Sequence, residues 1–370
     1  MPHVSRRFFL FVIVAILALG AALRIVPSNG FKGQGPDERF YEIFVNAAAE
    51  DGLFAYPQIF VDYLAHQTQP DSPLVLPPGR IAFIASAAIF RQLTGLDAMT
   101  SLRAVSAGAS ILLLGMAAAF LWRARGPEWA IGGTALLACS PLQIHLAQRS
   151  LIDGFFAFWA MMVLWTLWEC LRNPTDRRWL TAYGISVVVL VLTKENAAFV
   201  MMGVGVLLLV NFWLHFGEAR PSLWIVTAAA PLLAALILVI AAGGLETLIA
   251  AYRTNVEKSV VSPYAIATGD GPWFRYLVDL CLLNPALFLL ALLGMGQLKM
   301  EDKLGGFLVV FMLVTFLIMG QLRYGMNARY TNIWEIGLHY FAVMGVLGLA
   351  EILPVASRRV AVVVAVVLLC

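Results

Sequence analysis

The chain is 370 residues long, 61% hydrophobic, 12% aromatic and only 13% charged, with a formal net charge of +3. A soluble core of this size cannot hide so much apolar side chain, which excludes an ordinary water-soluble domain, and so small a net charge points to no polyanionic partner. Cys139, Cys170, Cys281 and Cys370 stand inside or at the ends of apolar segments without paired spacing, so neither a disulfide framework nor a metal site is read from them.

Apolar runs of roughly 17 or more residues recur along the chain, each long enough to cross a bilayer core of roughly 30 Å as a helix. The first, Phe8 to Val26, follows Arg6 and Arg7. It is too long for the apolar stretch of an ordinary signal peptide and ends on a poor cleavage site, so it reads as a retained first span. Further spans are predicted over 103–122, 129–147, 154–171, 179–192, 196–214, 223–241, 277–298, 304–321 and 332–350, and an eleventh run, 360–370, is too short to cross and suggests a truncated longer protein. The expected fold class is an all-α polytopic membrane protein, a single transmembrane domain over 1–370 with about ten or eleven spans.

Two segments interrupt the spans. In the first, 27–102, Pro36 suits the first turn of a helix running through "DERFYEIFVNAAAE" to Gly52, with Asp37, Tyr41, Phe44 and Ala48 on one face. The short run 80–94, with Arg80 and Arg91 near its ends, is expected to lie in the interface rather than to span. The second segment, 242–276, carries Arg253, Lys258, Trp273 and Arg275 and reads equally as a flap or as a connecting loop.

Basic residues favour a cytoplasmic N-terminus. Twelve of the 25 Lys and Arg residues then fall on inner tails and loops, among them Arg123, Arg125, Arg358 and Arg359, against seven elsewhere once the long segment is discounted. Charges gather on the outer side in short connections: Asp37, Glu38 and Arg39; Arg149 and Asp153; Lys194 and Glu195; Arg323, Arg329 and Glu335. Such groups are costly near lipid unless paired or facing a wet cavity, so a polar cavity under the outer face is predicted. His66, His145, His215 and His339 lack ligand spacing, and Phe155, Phe156, Phe158 and Trp159 read as lipid-facing or helix-packing rings.

In this order, "PDERFY" after the first span, "QRSLIDGFFAFW" after the third, "VLTKENA" after the fifth, "GPWFRYL" before the eighth and "NARYTNI" before the tenth resemble the GT-C membrane glycosyltransferases. The nearest branch in pattern is the protein O-mannosyltransferase and lipid A aminoarabinose transferase group, whose members move a sugar from a polyprenyl phosphate to an acceptor at the outer side of the membrane. The resemblance implies that Asp37 is the catalytic acid and that Asp153 is the second outer acid, which orders the outer loops or, with Asp37, holds a divalent ion (Mg2+ or Mn2+). It implies that Lys194 and Tyr330 contact the lipid phosphate. Arg39 stands one position nearer the acid pair than the family arginine. Glu38, Tyr41, Arg149, Arg275 and Arg329 join the expected substrate-binding set by position. The implied partners are the polyprenyl-phosphate sugar, membrane lipid and an acceptor of protein, glycan or lipid nature, with no nucleic acid; the implied location is the inner membrane with the site facing outside. The aminoarabinose branch has a Glu-Lys-Pro before the interfacial helix where this chain reads "LVLPPGR", which puts lipid A as acceptor in doubt. The alternative class is a transporter or flippase, for which broken helices or inverted repeats would be the mark.

Overall fold

The computed structural model describes residues 6–26, 33–69, 72, 74–322, 326–354, 362, 365 and 366, without the side chains of 264, 265 and 268. Lys32, Arg323, Arg358, Arg359, Cys370 and most of the eleventh predicted run lie outside the described residues. The chain folds as helices. In order they are α1 (Arg6–Ile25), α2 (Pro36–Glu50), α3 (Tyr56–Gln67), α4 (Ile81–Thr94), α5 (Ala98–Arg125), α6 (Pro127–Ala138), α7 (Pro141–Gln148), α8 (Ile152–Arg172) and α9 (Arg177–Thr193). There follow α10 (Ala197–Leu214), α11 (Pro221–Ala241), α12 (Leu245–Val261), α13 (Pro263–Gly269), α14 (Arg275–Leu283), α15 (Pro285–Gly296), α16 (Lys303–Met319), a 3-10 segment over Ala328–Trp334, and α17 (Glu335–Glu351).

Among the described residues, six stretches are long and apolar enough to cross a membrane unaided: α1, α5, α8, α10, α11 and the 3-10 segment with α17. Two of the predicted single spans are broken instead. Between α6 and α7 the axis turns by 56°, and between α14 and α15 by 118°. Both breaks coincide with a polar residue followed by proline, Ser140–Pro141 and Asn284–Pro285, where proline withholds an amide and the polar side chain caps the new helix. Asn284 Oδ1 accepts from Leu287 N at 3.1 Å. Buried Arg24 closes the first break by donating to the carbonyls of Leu137 and Ala138, both at 2.9 Å, and to Ser110 Oγ at 2.8 Å.

The core forms two parts. The larger lies among the spanning helices, and the smaller joins α2, α3, α4 and α12 against the near ends of α5 and α8. The short α4 is the predicted interfacial helix, with Arg80 at its N-cap. Helices α15 and α17 cross most closely at two glycines: a Cβ on Gly294 would overlap the Phe341 carbonyl, and one on Gly345 the Leu290 carbonyl. At the end of the bundle away from α2, Arg125 contacts Asp302 and Tyr340, and Tyr340 Oη donates to Asp302 Oδ2 at 2.8 Å. That knot ties α5, α16 and α17 together. The rings on α8 pack between helices, Phe155 lying 5.7 Å from Phe83 and 6.2 Å from Trp159.

Candidate active site

The N-terminus of α2, the turn before α8, the α9–α10 turn and the 3-10 segment meet at one end of the bundle. Each carries its polar residue there for a local reason. Pro36 opens α2 at N1 with Asp37 and Glu38 in the first turn, where the helix dipole favours carboxylates. Lys194 is extended (φ −162°, ψ 148°), so α9 stops and α10 restarts after the Lys194–Asn196 turn. Asn327 Oδ1 accepts from Arg329 N at 3.0 Å and starts the 3-10 turn that aims Arg329 and Tyr330.

Asp153, in the first turn of α8, is 1% exposed. Its Oδ1 accepts from Lys194 Nζ at 2.7 Å, while Oδ2 has no hydrogen bond and lies 3.5 Å from Arg329 Nη1. The same guanidinium donates through Nη1 and Nη2 to Asp37 Oδ2 at 3.0 and 3.1 Å. Arg329 is thus the link between the two acids named from sequence. Lys194 Nζ also sits 4.2 Å from the centre of the Tyr330 ring, and Asn332 Nδ2 donates to the Asp153 carbonyl at 2.7 Å. Asp37 and Arg329 are the open pair, with side chains 31% and 24% exposed, whereas Lys194 and Asp153 are sealed at 3% and 2%.

Glu38 departs from its expected place in the substrate-binding set. It is fully buried and accepts four donors: Arg149 Nε at 3.0 Å, Arg149 Nη2, Ser150 N at 2.9 Å and Gly35 N at 2.6 Å. Burial pushes its carboxyl up, but the Arg149 guanidinium and the two amides outweigh burial and hold it below the usual glutamate range. Glu38 is therefore a clamp between α2 and the turn that carries Asp153. Tyr41 is buried and takes a hydrogen bond from Arg80 Nη1, its ring edge-on to Phe83 at 5.4 Å.

Of the residues named from sequence, the structure brings Asp37, Asp153, Lys194, Arg329 and Tyr330 together, with Glu38 and Tyr41 buried and Arg149 half-buried behind them. Arg39 is exposed and makes no side-chain ion pair among the described residues. Arg275 donates to the Asp270 carbonyl at 2.6 Å and lies 3.7 Å from Asp279, and it bonds none of the cluster acids. Sequence reading missed Arg80, Glu195 and Tyr252 as parts of the site. Arg80 Nη2 donates to Glu195 Oε1 at 2.6 Å, and its Nε is buried with no partner. Tyr252 of α12 lies against Gly79, where a Cβ would come within 2.6 Å of the tyrosine oxygen; burial pushes its hydroxyl up to about 12. The available signal was the arginine of "LVLPPGR", which follows two prolines and a glycine.

The divalent ion expected between Asp37 and Asp153 does not fit this arrangement. Arg329 occupies the bridging position and Lys194 takes the other oxygen of Asp153, so a third cation there would meet two fixed positive charges. Among the described residues no group of three or more His, Cys, Asp or Glu side chains is placed to hold a metal ion.

Residues 78–249 match the family model described as dolichyl-phosphate-mannose-protein mannosyltransferase. No curated protein sequence matches the chain significantly. Among solved structures, the chain is similar to ArnT from Cupriavidus metallidurans bound to undecaprenyl phosphate, at 14% identity and a TM-score of 0.61, with 98% of this chain and 69% of that one covered. It is similar to the Archaeoglobus fulgidus oligosaccharyltransferase in the apo form, at 14% identity and a TM-score of 0.69, with 100% and 55% covered. It is also similar to AglB from Archaeoglobus fulgidus in complex with an inhibitory peptide and a dolichol-phosphate, at 14% identity and a TM-score of 0.65, with 98% and 54% covered. The chain spans about half the length of the oligosaccharyltransferases and about two thirds of ArnT. In sequence over 78–249 it is similar to the dolichyl-phosphate-mannose-protein mannosyltransferases, and in fold it is an integral membrane protein similar to ArnT and the oligosaccharyltransferases.

Proposed function

We propose that the chain transfers a sugar from a polyprenyl-phosphate donor to an acceptor at the extracytoplasmic side of the inner membrane. One observation carries this reading: a half-open carboxylate, Asp37, stands beside a guanidinium and a phenol, Arg329 and Tyr330, over a sealed Lys194–Asp153 pair. Breaking a sugar–phosphate bond needs a group that readies the acceptor and positive charge for the departing phosphate. Asp37 Oδ1 takes no part in the Arg329 pair and is the oxygen that accepts the acceptor's proton or orients its hydroxyl. Arg329 and Tyr330 face the phosphate. Lys194, set back under the Tyr330 ring, adds its field and keeps Asp153 ionised, and Asp153 fixes Arg329. Arg39, exposed at the rim, meets the incoming lipid phosphate.

Purified protein in nanodiscs, incubated with a panel of polyprenyl-phosphate sugars, is expected to consume at least one donor. Absence of turnover with every donor, acceptors included, would remove the proposal. The second reading, a transporter or flippase, draws on the two broken spans. It predicts movement of a lipid-linked or small polar substrate across proteoliposomes with the sugar–phosphate bond intact.

A further inference from the structure

The cluster is electrically closed. Four carboxylates and four cations share it, and each cation already holds an acid: Arg80 with Glu195, Arg149 with Glu38, Lys194 with Asp153, and Arg329 with Asp37. A phosphate that passes Arg39 at the rim and enters the cluster adds negative charge where each of the four cations already holds an acid, so it must take a cation from a carboxylate. Burial and bonding decide which. Arg149 is held by a carboxylate that is fully buried and also bound by two backbone amides. Lys194 and Asp153 are both sealed. Arg80 is 6% exposed at its side chain and is also tied to Tyr41. Arg329 is the most exposed of the four cations, at 24% of its side chain; its partner shares that exposure, and it holds Asp37 through one oxygen only. Its departure leaves Asp153 with the Lys194 bond intact.

We propose that Arg329 is an exchangeable counter-ion: it neutralises Asp37 in the empty site and passes to the donor phosphate on binding, so that Asp37 becomes a free carboxylate only when a donor is present. This deepens the glycosyltransferase reading and rests on it. The consequence is a site whose base is masked until the leaving group has arrived, with no change of covalent structure and no proton moved. Arg329 acts on the reaction in two ways, by contact with the phosphate and through Asp37.

A double-mutant cycle tests it, read as the dissociation constant of farnesyl phosphate for the purified chain in nanodiscs, with folding checked by size exclusion and thermal unfolding. Asp37→Asn releases Arg329 in advance and is expected to tighten binding about tenfold, within the range of ordinary coupling between sites. In an Arg329→Gln background the same Asp37→Asn change is expected to shift binding by less than about twofold, because no counter-ion is left to release. Arg329→Met, which keeps the apolar stem, replaces Arg329→Gln if the latter fails to fold, with the same expectation. An equal gain in both backgrounds would show plain removal of negative charge and overturn the exchange, as would unchanged or weakened binding by Asp37→Asn. If no form binds farnesyl phosphate, the donor-phosphate site itself falls, and the exchange falls with it.

Discussion

At Asp37 one carboxylate oxygen takes both Arg329 donors and the other stays open, while at Glu38 both oxygens are taken inside the fold. Neighbours in sequence therefore predict different phenotypes. Asp37→Asn should lower sugar transfer by roughly a hundred- to ten-thousand-fold, as for loss of a general base, while donor binding is strengthened rather than lost. Glu38→Ala should instead lower stability by about 2–4 kcal/mol, since it strands the largely buried Arg149; a shift in thermal unfolding with little loss of specific activity per folded molecule is the outcome to look for. The carboxyl of Glu38 lies below its ordinary range in the folded chain, so its contribution is present above the unfolded value and lost as pH falls through the folded one. Wild type should lose unfolding temperature on acidification below the usual glutamate range, and Glu38→Gln should lose less. Lys194→Ala is expected from sequence to weaken donor binding and leave expression intact, but Lys194 Nζ is sealed against Asp153. Its removal should cost about 3–5 kcal/mol by leaving a buried charge unpaired, and the double change Lys194→Met with Asp153→Asn should recover much of that in a denaturation series.

At the scale of elements, proline after a capping residue breaks two spans and glycine lets two helices touch. Where α15 crosses α17, the backbones are so close that any side chain at Gly294 or Gly345 meets a carbonyl. Gly345→Ala should therefore cost at least the roughly 1–3 kcal/mol of an overpacked contact, measured as a lower unfolding temperature, whereas the same change at Gly296, which has open space, should be near neutral. Helix α12 answers the ambiguity of segment 242–276 by laying Tyr252 against Gly79, and Lys258 Nζ donates to the Ser72 carbonyl at 2.9 Å. Within that segment it is α12 that docks on α3 and on the turn before α4, next to Arg80.

For the whole molecule, the acids and cations of the site lie at one end of the bundle and the Arg125–Asp302–Tyr340 knot at the other. The proposed topology, drawn from the bias of basic residues, puts the site end outside, and labelling tests it. A cysteine near Asp153 should react with an impermeant thiol reagent added outside intact cells, and one near Asp176 should not. Reversed labelling would invert the topology and place the site in the cytoplasm.

The sequence by itself determined the membrane class, the helix that opens at Pro36, the short helical run before α5 and five residues of the cluster, Asp37, Asp153, Lys194, Arg329 and Tyr330. These were legible because hydropathy, proline position and charged residues in short connections act locally, and because the motifs resemble a known family. Who pairs with whom was not legible. Asp37 and Arg329 are 292 residues apart and Arg80 and Glu195 are 115 apart, and nothing local predicts which carboxylate a guanidinium will meet. Packing made that choice: it sealed Glu38 under Arg149, turned Arg80 inward between Tyr41 and Glu195, and set Arg329 where a divalent ion was expected. Burial raises the cost of every unpaired charge, so only the folded arrangement of helix ends decides which pairs close and leaves both partners of Asp37–Arg329 open to solvent.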